Sequence, residues 1–515
     1  MMVAVTVGHG GRAAVIAVDG LSIALAGLRW LRVAQREHYA TEAASRFALR
    51  WWTSSPVNVL SMAGALAGLV LSDRWALGAL VTAVVVGLGP VGLAPKGRSA
   101  PLRWTRRLRT LAVVWGALEA GAIAAGTVAG AGPLAAAAAA VVAPALVDLA
   151  CVLTAPVELR LARAHVERAA TRLRRVRPTV VAITGSYGKT TTKGYVAHLV
   201  SARHSVVATP ASFNNRAGLA RSVNENLGEG TEVFVAEMGT YAKGEIAELC
   251  SWVTPDIAVI TALGPVHLER LGSEARVLEA KEEIFERASC AVVVVDDERL
   301  ARAADRCADR GLKVWRVSAR RREADVFAGA EDGTVSVWAG GRPVVEHVPV
   351  DVRPDNVAVA VAVALELGVS AEEIGRLLPT LPGAPHRLER SVSAGGVVVL
   401  DDTYNANPAG VRVALAALER AGAGADRRVV VTPGMVELGP RQADENARFA
   451  AHAAAVATDL VVVGRTNRRA LVRGAHDGAR VLTVATRQAA TAWVRAQLGQ
   501  GDVVLYENDL PDHYP

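Results

Sequence analysis

An α-helical membrane region followed by α/β domains is the architecture this sequence predicts, and three observations predict it. The first 155 residues hold five predominantly apolar stretches of near-spanning length. Beyond residue 178, short β-branched runs alternate with helical patterns, which argues a parallel sheet wrapped by helices. One of those runs, residues 180–183 (VVAI), breaks at Thr184-Gly185, and Gly188-Lys189-Thr190 then opens a helix. A length of 515 residues agrees with about three domains. The hydrophobic content of 51% is high for a soluble enzyme, which makes a membrane part worth seeking.

The apolar stretches are residues 13–31, 57–72, 75–94, 110–131 and 134–154. Most approach the ~20 residues that a spanning helix needs, and 57–72 is short. Loop charge gives the orientation. Loop 32–50 carries Arg32, Arg36, Arg46 and Arg50, and loop 95–109 carries Lys96, Arg98, Arg103, Arg106, Arg107 and Arg109. The alternate loops at Asp73-Arg74 and Gly132-Pro133 are nearly bare. Five spans with the N-terminus outside therefore put every basic loop, and everything after residue 155, on the cytoplasmic side of the membrane. Trp30, Trp51, Trp52, Trp75, Trp104 and Trp115 fall near the proposed span ends, as an interfacial belt would. Asp19, Glu119 and Asp148 lie inside the spans, either as a functional path or buried pair or as helix-end residues reaching water. Gly64 and Gly68 would permit close helix contact. No basic region precedes the first apolar run, so no cleavable signal peptide is expected.

Residues 156–178 read as a basic juxtamembrane helix, with Arg160, Arg163, Arg168, Arg172, Arg174, Arg175 and Arg177, ending at Pro178. Up to residue 180 there are 20 Lys and Arg against 8 Asp and Glu; the remainder has 37 against 42. The basic excess thus belongs to the apolar region, which points to anionic membrane lipid rather than nucleic acid as a partner. Cys151, Cys250, Cys290 and Cys307 show no CxxC spacing, so neither a zinc site nor a disulfide framework is expected.

Strand, glycine-rich turn and helix aim backbone N–H groups and a helix N-terminus at phosphate. In TGSYGKTT the loop residues Gly185, Ser186, Tyr187 and Gly188 would wrap the nucleotide. Lys189 would reach the β- and γ-phosphates, and the Thr190 hydroxyl, followed by Thr191, would sit on Mg²⁺. The loop is shortened, because Ile183 stands where the longer pattern has its first glycine. Residues 231–239 (TEVFVAEMG) form a strand ending in Glu237, and residues 256–273 a strand followed by a loop with His267. Ligands of such sheets bind beyond the carboxyl ends of the strands, so Glu237 and His267 would meet Lys189 and Thr190 there as metal ligands.

TGSYGKTTTK, residues 212–220 (SFNNRAGLA), EMG at 237–239, GPVHLERLGS at 264–273, AKEEI at 280–284, PHRLE at 385–389, DDTYNANP at 401–408 and MVELG at 435–439 follow the order seen in Mur ligases. The chain resembles that family from about residue 179 onward, most closely the branch that adds D-alanyl-D-alanine to the peptidoglycan stem peptide. The resemblance implies a central P-loop ATPase domain (179–384) and a Rossmann-like C-terminal domain (385–515). It implies ATP, two Mg²⁺ sites and a ligase that passes phosphate to an acceptor carboxylate, whose acyl phosphate an amine donor attacks. Glu237 and His267 would hold the second Mg²⁺ with Lys281, carbamylated by CO₂ into an anionic oxygen ligand. Asn356 would contact adenine, Arg387 would be the hinge arginine on the phosphates, and Asp402 the ribose or hinge carboxylate. Tyr404 and Asn405 would face the nucleotide, and Asn214 and Asn215 the substrate.

Four departures stand out. Membrane spans replace the family's uridine-gripping N-terminal domain. Gly434 stands where the D-alanyl-D-alanine-adding branch has an aspartate, and residues 505–512 (LYENDLPD) replace its basic ending. Asp355 also precedes Asn356 where a histidine is common. The expectation is a membrane-anchored amide ligase of the cell envelope working on a lipid-linked or membrane-proximal acceptor. A poly-γ-glutamate-type polymer synthase is a second reading. An ATP-driven membrane protein without ligase activity is a third, and it would leave Lys281 and DDTYNANP without a task.

Overall fold

The computed structural model describes residues 9–72, 76–95, 102–265, 268–331, 333–349, 352–383, 386–404, 406–476, 478–510 and 514. The chain divides into two compact units, residues 1–161 with 510–515, and residues 162–509.

The first unit is helical: α1 (His9–Arg36), α2 (Ala43–Trp52), α3 (Pro56–Leu71), α4 (Ala76–Leu88), α5 (Arg106–Val128) and the start of α6 (Gly132–Val176). Each predicted apolar stretch coincides with a helix. By length and composition α5 and α6 are long and apolar enough to cross a membrane, and α2 with α3, bent by 110°, would make a third. The apolar part of α4 falls short of the ~20 residues required. Two expectations are corrected. The basic loop 32–50 contains a helix, α2, and the juxtamembrane helix is no separate element, because α6 runs unbroken through Pro144 and Pro156.

The interior of this unit carries much of its polarity. Asp148 accepts hydrogen bonds from the Ala44 and Ser45 amides at 3.0 and 2.9 Å, capping the start of α2, whose own Glu42 makes no side-chain cap. Arg29 donates to the carbonyls of Gly87 (3.2 Å), in the last turn of α4, and of Leu93 (2.8 Å), beyond its end. Glu119 takes the Trp115 indole N–H at 3.2 Å. The tryptophan belt is not formed as expected: Trp30, Trp51 and Trp52 are buried in the helical core, although Trp104 is exposed. Trp75 lies outside the described residues. Gly68 does bring α3 against α4, since a Cβ there would meet the Gly78 carbonyl oxygen at 2.8 Å. Gly64 faces open space instead.

The second unit holds two sheets. The first comprises β1 (Thr179–Thr184), β2 (Val206–Ala208), β3 (Val233–Glu237), β4 (Ile257–Ile260), β5 (Cys290–Val294), β6 (Lys313–Ser318), β7 (Val326–Glu331), β8 (Thr334–Ala339) and β9 (Arg342–Pro349). Their order is β2-β3-β1-β4-β5-β6-β7-β8-β9, parallel through β7 and antiparallel beyond it. Between and after these strands come α7 (Lys189–Val200), α8 (Arg216–Asn226), α9 (Glu245–Cys250), α10 (Leu268–Leu271), α11 (Glu274–Glu282), α12 (Glu298–Asp309), α13 (Pro354–Glu366) and α14 (Ala371–Leu377). The strands are apolar on both faces because helices cover both. Residues 357–364 of α13 are wholly buried, as a helix apolar all round must be.

The second sheet orders β10 (Glu389–Val392), β11 (Val398–Asp402), β12 (Arg428–Thr432), β13 (Asp459–Val463), β14 (Arg480–Val484) and β15 (Val503–Glu507) as β10-β11-β15-β12-β13-β14. All but β10 run parallel. The helices α15 (Pro408–Ala421), α16 (Gln442–Val456), α17 (Arg468–Gly474) and α18 (Arg487–Gln497) accompany it. The four cysteines are buried and unpaired.

Candidate active site

Strand β1 lies between β3 and β4, with Ile183 opposite Glu237 and Thr184 opposite Ile260. This order carries the phosphate loop, Glu237 and the loop after β4 to one edge of the sheet. The loop closes as its glycines require. Gly188 has φ +81°, and a Cβ there would meet Asn356 Oδ1 at 2.4 Å. Ser186 N–H donates to Ala262 O at 2.7 Å, and the Ser186 hydroxyl to Gly264 O at 3.2 Å. Lys189 Nζ donates back to Gly185 O at 2.7 Å. Burial holds the Lys189 ammonium below its usual pKa; Glu237 opposes that and the nearby Arg387 guanidinium adds to it. Thr191 follows in the first turn of α7.

Glu237 is the hub. It is 1% exposed, and one oxygen accepts from the Thr190 hydroxyl and from Lys193 Nζ, each at 3.0 Å. The other accepts from Asn214 Nδ2 at 3.0 Å. Two hard oxygen donors, Thr190 Oγ1 and Glu237, thus meet at the mouth of the phosphate loop, a donor set that suits Mg²⁺. Lys193 was not assigned from the sequence, although it sits one helical turn after Lys189 and so shares its face. A lysine buried to this degree is costly unless paired, and Glu237 pairs it. His267 lies outside the described residues.

Lys281, on α11, is 3% exposed. Among the described residues no hydrogen bond or ion pair satisfies it. Burial, then the neighbouring Lys189 charge, drives its pKa well below the lysine range, so the neutral amine is favoured. Asn356 N3 of α13 reaches the phosphate loop rather than open space: Thr192 Oγ1 donates to its Oδ1 at 3.2 Å. Asn215 has a different partner from its neighbour Asn214. It caps α8, accepting from Gly218 N–H at 2.9 Å.

On the C-terminal side, Arg387 stacks over the Tyr404 ring at 4.3 Å. Leu388 N–H donates to Asp402 Oδ1 at 3.2 Å, and His386 Nδ1 lies 2.7 Å from Asp401 Oδ2. Asn405 lies outside the described residues. The two domains touch directly: Leu268 N–H donates to Glu437 O at 3.0 Å, and Glu274 at the head of α11 takes both Arg299 and Arg441. Between them is a cavity of about 300 Å³ lined by Tyr187, Pro265, Arg412, Met435, Arg448 and Phe449 among others. Tyr187 borders this cavity. Its ring packs on Gly264, where a Cβ would meet the hydroxyl at 2.4 Å, and that hydroxyl is buried with no hydrogen bond among the described residues.

Sequence reading also missed an asparagine cradle around the Gly434 loop. Asn446 binds both Met435 N and Met435 O (2.8 and 2.9 Å), Asn467 Nδ2 donates to Pro433 O (3.0 Å), and Asn508 Nδ2 to Gly434 O (2.6 Å). Gly434 has φ +79°, and a Cβ there would lie 2.4 Å from Asn446 Oδ1. The missing aspartate is therefore excluded by packing, and the cradle takes its space.

Comparison with known proteins agrees with this geometry. A family model described as the Mur ligase middle domain matches residues 183–347, and one described as the Mur ligase, glutamate ligase domain, matches residues 386–506. A UDP-N-acetylmuramoyl-tripeptide–D-alanyl-D-alanine ligase of Mycobacterium leprae is 33% identical over 364 residues, 64% of this chain and 70% of the relative. Among solved structures, MurF from Acinetobacter baumannii is similar with a TM-score of 0.59 and 26% identity, covering 67% of this chain and 77% of that one. MurF ligase from Thermotoga maritima in complex with ADP gives a TM-score of 0.55 at 25% identity, over 68% and 80%.

Proposed function

Because the chain belongs to the Mur ligase family and is an ATP-dependent amide ligase, we propose that it joins a carboxylate acceptor to an amine donor at the cytoplasmic face of a bacterial membrane, in the synthesis of cell-envelope peptide. The observation that carries the reading is the convergence of Thr190, Lys193 and Asn214 on Glu237 beside the phosphate loop.

The phosphate-loop amides and Lys189 hold the nucleotide phosphates in line with the acceptor carboxylate, neutralising charge where it develops. Magnesium, when bound, would supply charge neutralisation for the phosphates and the acceptor carboxylate: Thr190 would hold one ion, and Glu237 the second, with His267 and a carbamate on Lys281. The buried Lys281, without a partner among the described residues, supports the carbamate, since a carbamate converts an uncompensated ammonium into an anion beside Lys189. Lys193 and Asn214 hold Glu237 in place. Arg387, fixed on Tyr404, faces Lys189 from the C-terminal domain, where a hinge arginine would meet phosphate. The acceptor carboxylate would take the γ-phosphoryl group with ADP leaving; the amine would then attack the acyl carbon and expel inorganic phosphate, and the 300 Å³ cavity beside Tyr187 offers room for the second substrate.

The membrane part of the reading rests on inversion of the usual burial. Val57, Leu60, Val70, Leu77, Leu88, Val113 and Val128 are exposed, whereas Arg29, Asn58, Thr82, Glu119 and Asp148 are buried. Apolar outside and polar inside suits hydrocarbon as solvent. The relatives' names specify a UDP-linked acceptor; membrane helices at this position favour a lipid-linked or membrane-proximal one. The test uses the full chain in detergent with ATP. ADP release should require an amine donor and leave an amide, and mass spectrometry of lipid-extracted envelope should show a species missing when Lys189→Ala replaces the wild type. Amine-independent ATP turnover without an amide would overturn the reading in favour of an ATP-driven membrane protein.

A further inference from the structure

Strands β11 and β15 are parallel neighbours, and their last residues, Asp402 and Glu507, lie directly opposite one another. Glu507 is fully buried and Asp402 is 9% exposed. The charged groups that face Glu507 are the Asp402 carboxyl and the Arg387 guanidinium. On its other side β15 pairs with β12, whose end leads into the Gly434 loop with no charged side chain before Glu437. Neither Glu507 oxygen has a hydrogen-bond donor among the described residues. Asp402, by contrast, accepts from Leu388 N–H at 3.2 Å, and Asn508 N–H donates to the Asp402 carbonyl at 3.0 Å.

Two carboxylates cannot both ionise cheaply at such close quarters away from water, and a buried acceptor without a donor is costly. One shared proton removes both penalties. The geometry points to Glu507 as a positioning residue: held as the carboxylic acid, it donates a hydrogen bond to Asp402, which in turn fixes Leu388 and thereby the Arg387 that stacks on Tyr404. Burial and then the Asp402 charge push Glu507 well above the carboxyl range, in keeping with a retained proton. Asp402 is itself raised by burial, against the pull of Arg387, and the pair titrates as a unit. The strand end thus carries a neutral acid that can only donate while it keeps its proton. The functional half of this assignment rests on reading Arg387 as a nucleotide-contacting residue; the protonation half does not.

The experiment compares wild type, Glu507→Gln and Glu507→Ala as full chains in detergent, by thermal melting and by titration with a fluorescent ADP analogue from pH 6 to about pH 9. A carboxyl raised in the folded state stabilises fully below its unfolded value of 4.5 and loses that contribution as pH rises through its folded value. Glutamine donates the same hydrogen bond at every pH. The melting temperature of Glu507→Gln relative to wild type should therefore climb as pH rises. Nucleotide affinity of Glu507→Gln should stay within about twofold of wild type at neutral pH and escape the alkaline weakening of the wild type. Glu507→Ala should bind about tenfold more weakly, as loss of a hydrogen bond to a charged group implies. A difference in melting temperature that is flat with pH would overturn the retained proton. Wild-type nucleotide affinity in a folded Glu507→Ala, or Glu507→Gln weakened as much as Glu507→Ala, would overturn the positioning role. If Glu507→Ala does not fold, wild type against Glu507→Gln over the same pH range decides. Failure of the wild type itself to bind the ADP analogue would instead strike the nucleotide reading of Arg387, leaving the melting comparison to decide the proton.

Discussion

At the scale of single residues, Lys281 offers the sharpest test. A buried ammonium one shell from Lys189 is out of place unless it has lost its proton or been converted into an anion. Lys281→Ala should lose at least about 100-fold in amide formation, as removal of a metal-site group does. It should regain part of that activity with added short-chain carboxylates, which can occupy the vacated volume, whereas Lys281→Arg should not. Full activity of Lys281→Ala in CO₂-depleted buffer would return the residue to a packing role. At this scale the sequence made the phosphate loop, Thr190 and Glu237 legible, because each is tied to a strand end by local pattern. It gave no role to Lys193, whose partner lies on another strand. Asn214 and Asn215, adjacent and alike in sequence, have separate tasks in the fold: one binds Glu237 and the other caps a helix.

Among elements, the Gly434 loop shows how a departure in sequence becomes a constraint in space. Three asparagines from α16, the start of α17 and the end of β15 converge on it. Restoring an acid by Gly434→Asp would force a side chain into Asn446 and a non-glycine residue into a left-handed conformation. We expect a loss of about 2–4 kcal/mol, from overpacking plus backbone strain, read as a lower melting temperature in the second unit. Unchanged stability would mean that the cradle gives way freely. The helix α13 makes the complementary point. Its Val-Ala alternation from 357 to 364 favours a strand by pattern, yet Pro354 at its first turn and burial on every side make it a helix.

For the whole molecule, the charge division between the two parts of the chain sets an expectation about sidedness. Basic loops at 32–50 and 95–109 should stay cytoplasmic while the loop after Ser72 faces out. Reporter fusions after Ser72 and at the C-terminus are predicted to report opposite sides of the membrane. The same side at both would break the five-span arrangement. The helices α5 and α6 meet the length criterion on their own, and α2 with α3 only as a bent pair, so this experiment bears on the remaining spans most directly. The sequence located these helices because apolar runs are local. It missed α2 because that helix is short and amphipathic, and its first amides are capped by Asp148 from α6.

What the sequence determined by itself is whatever rests on neighbours in the chain: the strand–turn–helix of the phosphate loop, the succession of motifs that identifies the ligase family, and the apolar helices with their basic loops. Tertiary structure alone decided the pairings. Glu237 gathers Thr190, Lys193 and Asn214 because β3 lies beside β1, and Gly434 must be glycine because three distant asparagines surround it. Glu507 meets Asp402 because β15, last in the chain, inserts between β11 and β12. Strand order is set by how buried faces pack, and no local pattern of residues encodes which strand will be the neighbour.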